Sequence, residues 1–144
     1  MTDVSTPPRL ALIIRSTRPQ RFADKPADWL LEQAEKRSDL TLDRIDLRDV
    51  DLPFFAEAAS NMWAPSVDEK VLAWQDTIRP YDGYIFVVSE YNHSMTAALK
   101  NALDLVNREW RAKPVAFVSY GGVSGGVRAV EQLRQVACEL HMVP

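Results

Sequence analysis

The chain has 144 residues, 47% of them hydrophobic, with 17 basic and 20 acidic side chains and a formal net charge of -3. Charges spread along the chain without a basic stripe exclude a nucleic-acid partner, and no apolar run approaches the roughly 18 residues that a membrane-spanning helix requires. One cysteine, Cys138, and two histidines, His93 and His141, leave neither an internal disulfide nor a metal-ligand cluster.

Without a linker, repeat or low-complexity run, residues 1–144 are expected to form a single domain around one core. The first eight residues are polar and end in Pro7-Pro8, with no apolar segment of the signal-peptide kind, so a soluble cytoplasmic protein is expected. Residues 10–14 form an apolar run that reads as a buried strand. A polar loop follows, and then Ala23, Ala27, Leu30, Leu31 and Ala34 recur at helical spacing, with Pro26 predicting a late helix start. Residues 40–47 alternate apolar and polar side chains, as an edge strand does, and residues 51–65 are irregular and rich in aromatics, with Phe54, Phe55 and Trp63. Ser66 and Glu69 make an S-x-x-E capping box for a helix through Val71, Leu72, Gln75 and Ile78 that Pro80 stops.

A third strand is predicted over residues 84–88. Ser94 is the predicted N-cap of the next helix, which carries Met95, Ala98, Leu99, Ala102, Leu105 and Val106 at helical spacing. A fourth strand covers 115–118 after Pro114, and a last helix carries Val130, Leu133, Val136, Ala137 and Leu140, with Cys138 read as a helix residue. Strands alternating with helices of this length predict right-handed crossovers and a doubly wound α/β fold with a parallel sheet covered on both faces. In such a sheet, ligands bind at the C-terminal ends of the strands, which makes the loops 15–22, 89–94 and 119–126 the candidate site.

The first of these loops carries Arg15, Ser16, Thr17, Arg18, Arg21 and Phe22, a set of hydroxyls, guanidinium groups and helix-entry amides suited to a phosphate monoester or, equally, to a solvated basic turn. It has neither G-x-G-x-x-G nor G-x-x-x-x-G-K-[ST]. In the second loop Glu90 offers an acceptor, Tyr91 a ring and Asn92 an amide, while His93 either donates to a ligand or is structural. Lys100 and Asn101 are assigned to packing or solvent. The third loop follows Ser119 and Tyr120 with Gly121, Gly122, Gly125 and Gly126, four of the five glycines, which favours close backbone approach to a flat ligand over an ordinary turn.

These motifs resemble the NAD(P)H-dependent FMN reductase family of flavodoxin-like quinone and azo-compound reductases. Ser89-Glu90-Tyr91-Asn92-His93-Ser94 with Leu99-Lys100-Asn101-Ala102-Leu103-Asp104 resembles P-E-Y-N-x-S followed by L-K-N-A-x-D. Ser16-Thr17-Arg18 with Arg21 resembles G-S-T-R-x-x-R, and Trp110, Lys113-Pro114 and the run from Tyr120 to Gly126 resemble W-x-x-K-P and Y-G-G-x-S-G-G. The resemblance implies that Ser16, Thr17, Arg18 and Arg21, with Phe22 beside them, hold the FMN phosphate. It places Glu90, Tyr91 and Asn92 along the flavin edge and Ser119, Tyr120, Gly121 and Gly122 on the ring's other side. NADPH or NADH is then the co-substrate, a quinone, azo compound or similar small molecule the acceptor, no side chain is catalytic, and the protein is a homodimer or tetramer.

The chain departs from the family pattern at several points. Arg15 replaces the first loop glycine and either adds a phosphate contact or turns outward, Gln20 replaces a second glycine, and Ser89 replaces a proline. Family members also continue several dozen residues past the position of Pro144, so the resemblance implies a C-terminally short domain lacking the fifth strand and last helix, with an exposed edge at residues 114–119. Two other functions remain open at this point: a flavodoxin-like FMN-binding electron carrier without NAD(P)H activity, and a truncated form that binds no flavin.

Overall fold

The computed structural model describes residues 6–144, so residues 1–5 of the polar N-terminal stretch lie outside the described residues. Four strands, β1 (Arg9–Ile14), β2 (Thr41–Asp46), β3 (Gly83–Ser89) and β4 (Val115–Tyr120), alternate with four helices, α1 (Asp24–Glu35), α2 (Glu69–Ile78), α3 (Ala97–Asp104) and α4 (Val127–Glu139). All strand pairs are parallel, in the order β2-β1-β3-β4. This is the expected doubly wound sheet, with residues 40–47 on its edge. Among the described residues it has no fifth strand, although Val143 pairs with the start of β4: Val115 N donates to Val143 O at 2.9 Å and Val143 N to Lys113 O at 3.0 Å.

The strands sort their side chains by the twofold period of extended chain. Leu12, Ile14 and Val87 face α1, against Ala27, Leu30 and Leu31. Ala11, Ile13, Phe86 and Val88 point the other way, into a larger core with Val71, Trp74, Leu99, Leu103, Ala129 and Leu133. Trp110, on a 3-10 turn (Arg108–Trp110), is fully buried there. Its ring meets Tyr84 edge-on at 4.8 Å, and its Nε1 donates to Leu103 O at 3.3 Å.

Helix starts differ from the expectations, each for a local reason. α1 begins at Asp24, before Pro26, because a proline in the first turn removes an N–H that would have had no helical partner. α2 is capped by Asp68, not Ser66: Asp68 Oδ1 accepts from Lys70 N at 2.8 Å and Val71 N at 3.3 Å. Ser66 instead donates to the Glu57 carboxylate and accepts from Asp68 N. α3 is capped by Thr96, whose Oγ1 accepts from Leu99 N at 3.3 Å, while Ser94 Oγ donates to Gln132 Oε1 at 2.6 Å. α3 also ends at Asp104, so Leu105 and Val106 are buried beyond it. α4 starts at Val127, three residues before the first apolar position of the pattern, and carries Cys138 exposed.

Trp110 sits where α3, β3 and the β4 approach meet. Trp110→Ala is expected to destabilise the fold by about 3–5 kcal/mol, read as a lower urea midpoint with an unchanged denaturant slope.

Candidate functional site

The loop after β1 divides its residues sharply between interior and solvent. Ser16 and Arg21 are buried, whereas Thr17, Arg18, Pro19 and Gln20 are exposed. Arg21 turns inward and spends its donors within the protein. Its Nε and one terminal nitrogen reach both oxygens of Asp24 at 3.0 and 2.6 Å. The other terminal nitrogen donates to Ser16 O at 2.9 Å and Asp46 Oδ1 at 2.7 Å, and a further bond to Asp46 Oδ2 completes the fork. Burial pushes the Asp46 carboxyl up, but the hydrogen bonds from Arg21 and from the Arg48 amide and guanidinium outweigh it and hold the group well below the usual carboxylate range. A guanidinium has five N–H donors. With them so engaged, Arg21 acts as the clamp that shapes the loop, and the candidate donors of this loop that stay uncommitted are Ser16, Thr17 and Arg18. None of these three makes a side-chain hydrogen bond or ion pair among the described residues.

The loop after β3 is a tight reversal. Tyr91 and Ser94 exchange backbone hydrogen bonds at 2.9 and 3.0 Å, and Asn92 and His93 between them have φ of 49° and 67°, the arrangement of a two-residue hairpin turn. The turn is tethered to α4: Arg128 meets His93 Nε2 at 2.8 Å, and Gln132 Nε2 donates to His93 O at 3.1 Å. Glu90 is tied down as well. Its carboxylate accepts from Ser124 Oγ at 2.9 and 2.8 Å and from Arg128 N at 3.3 Å, and it pairs with the Arg128 guanidinium at 3.5 Å. Desolvation pushes its pKa up, but these hydrogen bonds and Arg128 bring it down overall, so Glu90 is held ionised as an acceptor. Tyr91 and Asn92 are exposed beside it.

The glycines after β4 serve different ends. A Cβ on Gly126, whose φ is 90°, would lie 2.7 Å from Ser119 Cβ, so that glycine lets α4 start directly against the strand end. A Cβ on Gly121 would come 3.1 Å from Glu90 Cβ, and the Glu90 amide donates to Tyr120 O at 3.1 Å, binding the second and third loops together. Gly122 faces open space within 4 Å. The first loop joins them through Phe22, whose ring lies 5.2 Å from that of Tyr120. Two neighbours complete the arrangement. Asn101 holds the aromatic loop by donating to Pro53 O at 2.8 Å and accepting from Phe55 N at 2.9 Å, and Lys100 pairs with Asp104 at 2.6 Å. Thr17 also lines a cleft of about 300 Å³ with Leu47, Leu52, Phe54, Ala97 and Asn101.

The structure thus places Ser16, Thr17, Arg18 and Phe22 beyond the end of β1, as one wall of the candidate site, and Glu90, Tyr91, Asn92 and the Ser119 to Gly122 segment at the ends of β3 and β4, as the other, with Phe22 against Tyr120 and Arg21 tied to Asp24 and Asp46 behind the first wall. Sequence reasoning missed Asp46, Thr96, Ser124 and Arg128. Thr96 carried a weak signal as a second cap-type residue after Ser94, and Ser124 as part of the glycine motif. Nothing in the sequence pairs Asp46 with Arg21 or Arg128 with Glu90.

The parallel order β2-β1-β3-β4, with the three loops gathered at the C-terminal ends of the strands, is that of a flavodoxin-like α/β protein. The chain belongs to the NADPH-dependent FMN reductase family, whose family model matches residues 8–144. It is 36% identical to an NAD(P)H-dependent FMN reductase of Schizosaccharomyces pombe over 94% of this chain and 68% of that one. It is 34% identical to a quinone reductase of Pseudomonas putida over 92% and 71%. Its structure resembles that of the flavoenzyme NAD(P)H:(acceptor) oxidoreductase FerB from Paracoccus denitrificans with a TM-score of 0.75 and 28% identity, covering 94% of this chain and 74% of that one. The chain therefore spans roughly two thirds to three quarters of the length of these three proteins. Among the described residues no helix is long and apolar enough to cross a membrane, and no group of metal-ligating side chains is present.

The Arg21–Asp46 clamp has a pH signature. A carboxyl depressed in the folded state stabilises above its unfolded pKa, about 4, and loses that contribution as pH falls through the acid range below it. Thermal melts should therefore show steady stability from neutral pH to about pH 5 and a decline below about pH 4. Asp46→Asn should be less stable at neutral pH and lose less on acidification; equal acid sensitivity in the two proteins would show that the clamp is not the cause.

Proposed function

We propose that residues 1–144 form one flavodoxin-like FMN-binding domain of an NAD(P)H-dependent reductase that passes electrons to a quinone, an azo compound or a similar small-molecule acceptor. The observation that carries this reading is the convergence of the donor-rich loop after β1 with the glycine loop after β4 through the Phe22–Tyr120 contact. FMN, when bound, supplies a ring that accepts hydride from a stacked nicotinamide and hands electrons on to the acceptor. The rest is the work of this chain's own residues.

Ser16 and Thr17 hydroxyls and the Arg18 guanidinium hold the phosphate, Arg18 offering the planar fork that matches phosphate oxygens. Arg21 holds the loop in the shape those donors need. Glu90, Tyr91 and Asn92 border one edge of the ring site, and the backbone of Ser119, Tyr120, Gly121 and Gly122 borders the other, where Gly122 leaves room for a flat ligand. Hydride transfer needs alignment of two rings and no proton at the transferred atom, so the chain contributes orientation and backbone dipoles. Glu90, ionised and tied to Ser124 and Arg128, suits that positioning role better than that of a base. The protein works in the cytoplasm as a homodimer or tetramer in this reading.

The purified chain should be yellow and should oxidise NADPH or NADH when a quinone is supplied, in ping-pong fashion. Arg18→Ala should weaken FMN binding by about tenfold or more, the loss of a charged hydrogen bond of 1.5–3 kcal/mol, with an unchanged fold by circular dichroism. FMN binding without nicotinamide oxidation would favour an electron carrier instead. A colourless protein indifferent to FMN would sink both.

A further inference from the structure

Arg15 lies between Ile14, the last residue of β1, and Ser16, the first residue of the proposed phosphate site. Its side chain neither turns outward nor reaches into the exposed part of the loop. It is 1% exposed and lies along the face of Phe86, with the guanidinium carbon 4.9 Å from the ring centroid. Nε donates to Val87 O at 3.3 Å, while both terminal nitrogens are buried without a hydrogen-bond partner. Among the described residues no carboxylate pairs with it. The backbone at this point is fixed, because Thr96 Oγ1 donates to Arg15 O at 3.4 Å.

The contrast with Arg21, six residues on, is informative. Arg21 is also buried, but two carboxylates neutralise it. Burial works strongly against the charged form of Arg15, yet a guanidinium does not give up its proton in a protein. The result is an uncompensated positive charge in a low-dielectric setting at the C-terminal end of β1. A charge so placed is weakly screened and acts over a longer range than a surface charge. Thr17 and Arg18, two and three positions on, are the first exposed residues that follow it in the chain.

We propose that Arg15 is a buried countercharge for the phosphate of the flavin, favouring FMN over riboflavin through space without touching the ligand. The proposal rests on the FMN-binding reading above. A phosphate monoester carries between one and two negative charges at neutral pH, whereas riboflavin, with the same ring and ribityl chain, carries none. Arg15 therefore acts on the difference between the two ligands, while packing of the ring acts on both alike. Its second consequence is linkage: the strain of an unanswered charge is relieved when an anion occupies the loop, so FMN should stabilise the fold beyond what riboflavin does.

The test is fluorescence titration of FMN and of riboflavin into the wild-type chain and Arg15→Met, which keeps an unbranched stem over Phe86 and removes the charge. FMN affinity should fall about tenfold on loss of the charge, while riboflavin affinity stays within about twofold because the ring contacts are unchanged. Thermal melts should show the excess stabilisation by FMN over riboflavin shrinking in the variant. Equal loss for both flavins would assign Arg15 a purely structural role, and no loss for FMN would also overturn the proposal. If Arg15→Met does not fold, Arg15→Gln, neutral but still a donor, carries the same expectations. A wild-type chain that binds neither flavin overturns the FMN reading itself; one that binds both equally overturns phosphate recognition by Arg15 and by the Ser16 to Arg18 loop together, and one that prefers FMN as strongly in Arg15→Met as in the wild type overturns only the role of Arg15.

Discussion

The buried ion pair between Arg21 and Asp46 joins the loop after β1 to the C-terminal end of β2, and the shape of the first wall of the site depends on it. Arg21 grips Asp24 at the start of α1, the carbonyl of Ser16 in the loop and the carboxylate of Asp46 on the strand. Loop, helix and sheet edge are therefore fixed relative to one another by one side chain. Removing a single partner from such a pair leaves an uncompensated buried charge, which costs about 3–5 kcal/mol. That asymmetry, more than any net gain from the pair itself, makes the geometry hard to abandon.

Three arginines in seven residues thus have three different physical situations. Arg21 is buried and neutralised, Arg18 is exposed and free to grip, and Arg15 is buried and unanswered. A motif treats them as interchangeable basic residues. The fold separates them by position: Arg15 leaves the end of β1 into the interior, Arg18 stands in the exposed part of the loop, and Arg21 lies at the entry to α1, where Asp24 and Asp46 meet it. An exposed guanidinium with free donors is the one able to bind a ligand that comes and goes. A saturated one gives the loop its stiffness, so that little ordering remains to be done on binding.

The strands were legible because a buried parallel strand requires a continuous apolar run, and residues 10–14 and 84–88 supply one. That three polar loops gather at the C-terminal ends of the strands followed from the alternation of strands and helices alone. Helix starts were less legible: Ser66 and Ser94 have the side chains of caps, but Asp68 and Thr96 nearby are equally competent, and tertiary partners decided between them. Glu57 claims the Ser66 hydroxyl and Gln132 claims that of Ser94. Distant pairings were invisible for the same reason. Arg21 with Asp46 spans 25 positions and Glu90 with Arg128 spans 38, and no local pattern encodes either.

The second wall of the site is held by a different principle, close backbone approach. Gly126 allows α4 to begin against Ser119, and this brings Arg128 and Ser124 within reach of Glu90. Gly121 in turn lets the third loop lie on the Glu90 side chain. The glycines therefore do not make this loop loose; they permit contacts that a Cβ would block, and the tied carboxylate secures the result. Gly122 and Gly125 have open space where a Cβ would stand, while Gly121 and Gly126 are committed to packing. One wall is stiffened by a saturated arginine and the other by glycine contacts and a saturated glutamate, and what both leave unengaged is a set of hydroxyls, one free guanidinium and bare backbone. A flat ligand ending in an anion matches that remainder on chemistry alone.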